Sequence, residues 1–554
     1  MVRSTLLISA ITAGVSLNNG VGRTPILGFN SWNVFACSIN ETLMMVTMDL
    51  FVSLNLSSAG YSFVSVDDCW SSSRDANGII QSDPTTFPSG MKALADYAHE
   101  RGLKFGLYSS NSPLTCDQRP GSFGYETIDA QTYASWGVDL LKYDNCGSQT
   151  EIGQPESRYP VMSDALNATG REFVFMGCEW AVDFPATWAA PVMHSSRTTY
   201  DIQNMWECVV PHLDWANVWA DFARPGFFND MDILESFNGV LTQTESISHL
   251  TLWAALKSPL LIGCDLRQPG CQAGLPYFTN PEMLAISQDA LGAQARRVAA
   301  SGGDKGVPHG KSGTCGQEEL PQNVIISQCN PADPLQLWQQ QANGSFYLPH
   351  TGECLQLDSG QSNHCSQEWT VWYNNAAASL CNDPASTCGG KQELWQYNAP
   401  AHQITNIASS QCLTVHASSL RNVGLLPCQE ALSALQTWTI DSASGLIYSS
   451  TAPPGADTRF CLARTPDVLG GALEVWAGPL ENMDIVVVLF NRNAPSPTNI
   501  TVEWSVLGLD PSLKMNVRDI WGSADLGVYA GSFTTPTPVD VHGVAFLRLS
   551  AASL

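Results

Sequence analysis

The segment Lys142-Tyr143-Asp144-Asn145-Cys146 closes the apolar run Val138-Asp139-Leu140-Leu141 and places a cation and a carboxylate two residues apart. In an extended strand such residues share a face, so both side chains project together. A Lys beside an Asp favours the ionised carboxylate, which makes Asp144 a candidate nucleophile. A structural ion pair at a strand end has the same signature, so recurrence must decide. It recurs. Residues 62–66 run into Asp67-Asp68-Cys69-Trp70, 103–107 into Tyr108-Ser109, and 172–176 into Gly177-Cys178-Glu179-Trp180. Residues 226–228 run into Asn229-Asp230-Met231-Asp232, and 258–262 into Gly263-Cys264-Asp265.

Short, nearly continuous apolar runs are the mark of strands buried on both faces of a parallel sheet. Between them lie helical patterns such as 88–101, ended by Gly102, and 127–136, ended by Gly137. Strands alternating with helices about every thirty residues imply a parallel sheet. About eight units fill residues 22–291, close to the ~250 residues of a closed (β/α)8 barrel, whose chemistry sits at the carboxyl ends of the strands. The expected site is polar, sugar-sized and ringed by carboxylates. Cleaving a glycosidic bond with retention needs a carboxylate nucleophile and a carboxylic acid about 5–5.5 Å apart. Asp144 fills the first role. Arg197-Thr198-Thr199-Tyr200-Asp201 offers the second, an Asp expected at another strand end with an Arg nearby.

The chain has 554 residues, enough for several domains, and a formal charge of −25 with only 26 Lys and Arg. That balance argues against nucleic acid or an anionic membrane as partner. The start reads Met1-Val2-Arg3 followed by an apolar run over 6–17, too short to span a bilayer and expected to be a signal peptide cut between about Ala13 and Gly22. Seventeen cysteines and five N-x-[ST] acceptors, at Asn40, Asn55, Asn167, Asn343 and Asn499, fit a secreted, extracellular, disulfide-bonded glycoprotein. An odd cysteine count leaves one thiol free or one pairing that the sequence does not reveal. The cysteines form no CxxC pair and the nearby His residues lack ligand spacing, so neither metal nor cofactor is expected.

The motifs Leu27-Gly28-Phe29-Asn30-Ser31-Trp32, Asp67-Asp68-Cys69-Trp70, Lys142-Tyr143-Asp144-Asn145-Cys146, Cys178-Glu179-Trp180, Arg197…Asp201 and Asn229-Asp230-Met231-Asp232 occur in order. Together they resemble the α-galactosidases of glycoside hydrolase family 27, of the fungal secreted kind, over about residues 22–300 and 471–554. The resemblance implies a retaining exo-glycosidase that releases terminal α-D-galactose from galacto-oligosaccharides and galactomannans by double displacement. It implies Asp144 as nucleophile and Asp201 as general acid/base. It makes Trp32 an aromatic wall and assigns Asp67 and Asp68 to the 6- and 4-hydroxyls, and Lys142 to the 3- and 4-hydroxyls. Arg197 and Asp232 fall on the 2- and 3-hydroxyl side. Tyr108, Cys116 and Trp180 line the pocket, and Glu179 meets the 2-hydroxyl. It also suggests disulfides Cys37–Cys69 and Cys116–Cys146. Asp230 is expected to hold its loop rather than touch sugar. Where the family often has Pro between Asp230 and Asp232 this chain has Met231, so a less rigid loop is expected. The rivals on the same scaffold are an α-N-acetylgalactosaminidase, which should carry a small residue at 179, and a β-L-arabinopyranosidase, which should lack the Asp67 carboxylate. A non-catalytic sugar-binding protein is the rival from another class, and intact Asp144 and Asp201 argue against it.

Residues 294–298 look like the first strand of a small antiparallel domain, yet the next, 474–480, comes some 170 residues later. The interval repeats loosely. Gln336-Leu337-Trp338, Glu393-Leu394-Trp395 and Gln436-Thr437-Trp438 are followed by Cys354-Leu355, Cys412-Leu413 and Cys461-Leu462. This resembles the ricin-type β-trefoil, a frequent sugar-binding module, with bridges Cys354–Cys365 and Cys412–Cys428. Two residues past each Cys, where such modules carry a sugar-binding Asp, stand Gln356, Thr414 and Ala463, so weak or no lectin activity is expected. The expected plan is a signal peptide (1–20), a (β/α)8 barrel (21–291), the first strand of the C-terminal domain (292–302), an inserted β-trefoil (303–470) and an antiparallel β-sandwich (471–554).

Overall fold

The computed structural model describes residues 16–146, 155–180, 185–301 and 472–552. Between these it describes 322–350, 352–357, 376–380, 393–407, 409–415, 423–426, 428, 435–450 and 459–464. Eight parallel strands follow one another in sequence order: β1 Leu27–Asn30, β2 Phe63–Ser65, β3 Lys104–Ser110, β4 Leu140–Asp144, β5 Val174–Cys178, β6 Ser195–Arg197, β7 Phe228–Asp230 and β8 Leu260–Ile262. β8 pairs with β1, and Leu234, just past β7, bridges in parallel to Ile262, so the sheet curls round on itself. The strands are almost wholly buried, as their continuous apolar sequences require. Ile26, Phe63, Leu140, Val174, Met176, Ile233 and Leu261 form one buried cluster, and the half-buried Trp32 packs against it.

Helices cover the outside, and their ends are chemically marked. Asn40 accepts from the Leu43 amide to start Glu41–Ser53, and Thr242 with Glu245 makes a full capping box for Gln243–Ala255. Gly137, at φ +84°, ends Glu126–Trp136 in the left-handed conformation that costs glycine least. Gly28 is needed for a different reason: a Cβ there would stand 2.5 Å from the Phe63 carbonyl oxygen on the neighbouring strand. Among the described residues no helix is long and apolar enough to cross a membrane.

Beyond the barrel, Arg296–Ser301 pairs antiparallel with Leu473–Pro479 in a six-stranded sheet that also holds Ile485–Asn491, Val544–Ala551, Lys514–Asp519 and Ala524–Ala530. The sheet is tied to the barrel by a buried ionic quartet. Arg492 donates to Asp214 of helix Trp206–Val218 at 2.6 Å and to Glu474 at 2.9 Å, and Arg297 contacts both acids.

The interval between those paired strands carries a threefold repeat. The hairpins Gln339–Gln340/Phe346–Leu348, Trp395–Asn398/Gln403–Asn406 and Trp438–Asp441/Leu446–Ser449 each follow or begin with a buried Trp. The Trp338, Trp395 and Trp438 indoles donate to the carbonyls of Leu462, Leu355 and Leu413 at 3.1, 2.8 and 2.8 Å. Their amides donate to Gly445, Gly344 and His402. The second repeat thus leans on the first and the third on the second, and the first closes the ring by leaning on the third. Cys412–Cys428 is bridged as expected, and a Cys329–Cys461 bridge joins residues 132 apart. Cys354 is disulfide-bonded, while Cys365 lies outside the described residues.

Candidate active site

Every strand-end motif converges on one end of the barrel, because parallel strands in sequence order deliver their carboxyl ends to the same rim. Asp67, past β2, is 2 % exposed, and its Oδ2 accepts from Lys142 Nζ at 2.8 Å and Asn30 Nδ2 at 2.7 Å. Asp68 is raised by burial, while the Cys69 and Asp117 amides at 2.7 and 3.1 Å pull it back. Lys142 stays charged: burial works against its ammonium, but Asp67 outweighs it and raises the pKa.

Asp144, at the end of β4, lies on the pocket floor. Its Oδ2 accepts from the Tyr108 hydroxyl and its Oδ1 from the Asn145 amide, both at 2.8 Å. Burial pushes this carboxyl up to about 6; the Lys142 charge lowers it and Asp201 raises it. Cys146, whose Sγ lies 3.5 Å from the Tyr108 hydroxyl, is bridged to Cys116, and Cys37 to Cys69, so both suggested disulfides are present. The two clusters of potential metal ligands among the described residues, Cys37/Cys69/Asp117 and Cys116/Asp144/Cys146, therefore have their sulfurs committed.

Asp201 is not at a strand end, as its motif suggested, but four residues beyond Arg197, in the loop after β6. Its side chain is 63 % exposed, and it accepts from Arg197 at 3.2 Å. Partial loss of water around it raises this carboxyl despite its exposure, but the Arg197 and Lys142 charges prevail and hold it below the ordinary carboxylate range. Arg197 also meets Asp232 at 2.9 Å and donates to the Cys178 Sγ at 3.3 Å. Cys178 is the free thiol among the described residues. Asp232 accepts from the Ile202 amide at 2.8 Å, which fixes the chain next to Asp201. Glu179 is fully buried, and Trp180 sits at φ +61°.

Asp230 accepts from the Asp232 amide at 2.8 Å, in keeping with a loop-holding part. The expected loosening at Met231 is not found. Met231 is buried, and its N–H, which a Pro would lack, donates to Ser258 Oγ at 2.9 Å. Some supports escaped sequence reasoning. Glu235 accepts from Asn33 Nδ2 at 2.8 Å beside Trp32, and buried Arg158 clamps Asn111 and Asn145 at 2.6 and 2.8 Å. An arginine in a helix facing the barrel was the available signal for the second; nothing local marked the first.

A parallel eight-stranded sheet that brings buried Asp144 within electrostatic reach of exposed Asp201, beside Lys142 and Arg197, carries the pair of carboxylates a glycoside hydrolase needs. The family is shown by comparison. A model described as alpha galactosidase A matches residues 24–289, and one described as the alpha galactosidase C-terminal beta sandwich domain matches 470–549. Alpha-galactosidase 2 of Arabidopsis thaliana is 46 % identical over 300 residues, 54 % of this chain and 75 % of that one. The alpha-galactosidase of Coffea arabica is 47 % identical over 288 residues, covering 52 % and 75 %. Among solved structures, alpha-galactosidase I of Mortierella vinacea aligns over 97 % of this chain and all of its own, with TM-score 0.63 and 25 % identity. The chain belongs to the α-galactosidases of glycoside hydrolase family 27.

Proposed function

We infer that this chain hydrolyses terminal α-D-galactosides with retention, Asp144 acting as nucleophile and Asp201 as general acid and base. The observation that carries the division is positional. Asp144 is strapped by two donors on the pocket floor, while Asp201 stands exposed at the rim, where a leaving group must depart. In the first step a carboxylate oxygen of Asp144 bonds to the anomeric carbon as the glycosidic C–O bond breaks, and the Asp201 proton passes to the departing oxygen. In the second, Asp201 takes a proton from water, whose oxygen displaces Asp144. The charges fit a shared proton. Asp144 near 6 and Asp201 below the ordinary range leave one proton on the pair between those limits. Substrate filling the rim desolvates Asp201 and favours moving that proton onto it.

Glu179 and Asp67 favour galactose over the scaffold's rival sugars. A buried carboxylate at 179 leaves little space for an N-acetyl group, and Asp67, primed by Lys142, awaits a further hydroxyl. The remaining pocket roles are proposed as the family resemblance gives them: Trp32 as wall, Asp67 and Asp68 on the 6- and 4-hydroxyls, Lys142 on the 3- and 4-hydroxyls, Arg197 and Asp232 on the 2- and 3-hydroxyl side. Oligosaccharides and galactomannan side chains are the proposed substrates. The interval 303–470 is proposed as a ricin-type β-trefoil, a reading supported by its cyclic Trp-to-Leu bonds. Secretion with glycosylation remains the proposed destination, supported by the sequons and the five described disulfides.

The test is a pair of substitutions. Asp201→Asn should cost about 10²–10⁴-fold in kcat/KM on melibiose and little on α-galactosyl fluoride, whose leaving group needs no proton. Asp144→Asn should abolish both. Retention is read by NMR from the anomer first released, and first release of β-galactose would overturn the reading.

A further inference from the structure

Two aromatic rings stand side by side on the Asp201 side of the pocket. Tyr200 immediately precedes Asp201 and is 37 % exposed, whereas Tyr108, Tyr133 and Tyr143 are buried. Its ring centroid lies 6.5 Å from that of Trp180, with the planes tilted by only 31°. That separation lies within the range of paired aromatic rings, so the two make one aromatic patch beside Asp201.

The backbone beneath is fixed from several directions. The Tyr200 carbonyl accepts from Thr199 Oγ1 at 3.0 Å and lies 3.1 Å from Nε2 of buried His212. The Thr199 carbonyl accepts from Arg197 at 3.2 Å, and the Ile202 amide donates to Asp232. Trp180 occupies the left-handed region, unfavourable for so large a side chain, and such outliers gather where a site is held in a set shape. The rings are thus carried on rigid supports while Tyr200 and the Asp201 carboxylate meet solvent.

A general acid must lie within hydrogen-bond reach of the leaving oxygen. The leaving sugar therefore emerges beside Asp201, over the residue next to it. We propose that Tyr200, backed by Trp180, is the ledge on which the leaving-group sugar rests, making Tyr200 a specificity-determining residue that favours saccharide over small leaving groups. The proposal rests on the assignment of Asp201 as acid.

The experiment compares melibiose, whose leaving group is a sugar, with α-galactosyl fluoride, whose leaving group is one atom. Tyr200→Leu removes the aromatic face and should lower kcat/KM on melibiose about three- to tenfold, the scale of one aromatic contact, with no change on the fluoride. Tyr200→Phe keeps the face and should match the wild type on both. Equal losses on both substrates would mean that the ring merely supports the loop, and no loss on melibiose would mean that no sugar rests there; either overturns the ledge. If Tyr200→Leu does not fold, Tyr200→Trp carries the test: it should keep the melibiose preference, and its loss overturns the proposal. Asp201→Asn run in parallel separates the two readings. If that variant loses melibiose and fluoride alike, the acid assignment has failed, whatever Tyr200 does.

Discussion

Tyr108→Phe should move the titration of the nucleophile upward. The Tyr108 hydroxyl donates to Asp144 Oδ2 at 2.8 Å in a buried setting. The bond is made to the ionised form, so removing it destabilises the carboxylate and raises its pKa. A hydrogen bond to a charged group contributes about 1.5–3 kcal/mol, and about 1.4 kcal/mol corresponds to one pH unit. From about 6 in the wild type, the Asp144 carboxyl should therefore rise by about one to two pH units.

α-Galactosyl fluoride isolates this group, because fluoride departs without a proton and only an ionised Asp144 is required. Fluoride release should climb with pH through about 6 in the wild type. In Tyr108→Phe the climb should shift upward by that one to two pH units, with the two enzymes converging at high pH. On melibiose one proton must also reside on Asp201, so the variant should lose about 10- to 100-fold below its shifted inflection. An inflection that stays in place, or moves down, would refute the strap as the device that sets this carboxyl.

Other consequences follow from the same contacts. Asp144 has a folded pKa above its ordinary 3.8, so its contribution to stability is present below that value and is lost as pH rises through about 6. Asp144→Asn, inactive, should therefore melt higher than the wild type at pH 7.5, by up to about 3 kcal/mol, and match it near pH 4; equal melting curves at pH 7.5 would contradict this. Arg492→Met leaves Asp214 and Glu474 buried with Arg297 alone, and should cost about 3–5 kcal/mol in guanidinium unfolding. Glu179→Ser should raise the ratio of α-N-acetylgalactosaminidase to α-galactosidase kcat/KM, and an unmoved ratio would remove Glu179 as selector. Deleting 303–470 and rejoining the flanking strands should leave kcat/KM on melibiose within about threefold, judged on purified protein.

The barrel and its acids were legible because each strand writes its own chemistry: an apolar run ends and the next residue enters the pocket. Parallel order then delivers all ends to one rim without further information. Contacts that join distant segments left no such trace. Arg492 meets Asp214 across 278 positions, and Asn33 meets Glu235 across 202. Met231 misled for a related reason. Replacing a Pro suggested freedom, but the N–H so gained finds Ser258, 27 residues on in the turn before β8. Asp201 was identified by type while its placement was missed, since a loop that leaves the barrel follows no periodicity.

The inserted interval shows why an interruption of this length is compatible with the fold. Arg296–Ser301 and Leu473–Pro479 pair antiparallel, Ser301 opposite Leu473, so the two ends of the insert emerge side by side from one hairpin. An insertion there replaces a turn and leaves the sheet register alone, and loop-closure entropy grows only slowly with the length enclosed. The insert brings its own buried cluster, with Trp338, Trp395 and Trp438 at its centre, but that cluster also takes in Trp219 and Phe222 of the barrel chain. Removing the insert uncovers those two rings. The deletion should therefore lower the melting temperature while sparing the pocket, because Asp144, Asp201, Lys142 and Arg197 take their positions from β4, β6 and the adjoining loop. Loss of activity with an unchanged melting temperature is the combination this arrangement does not allow.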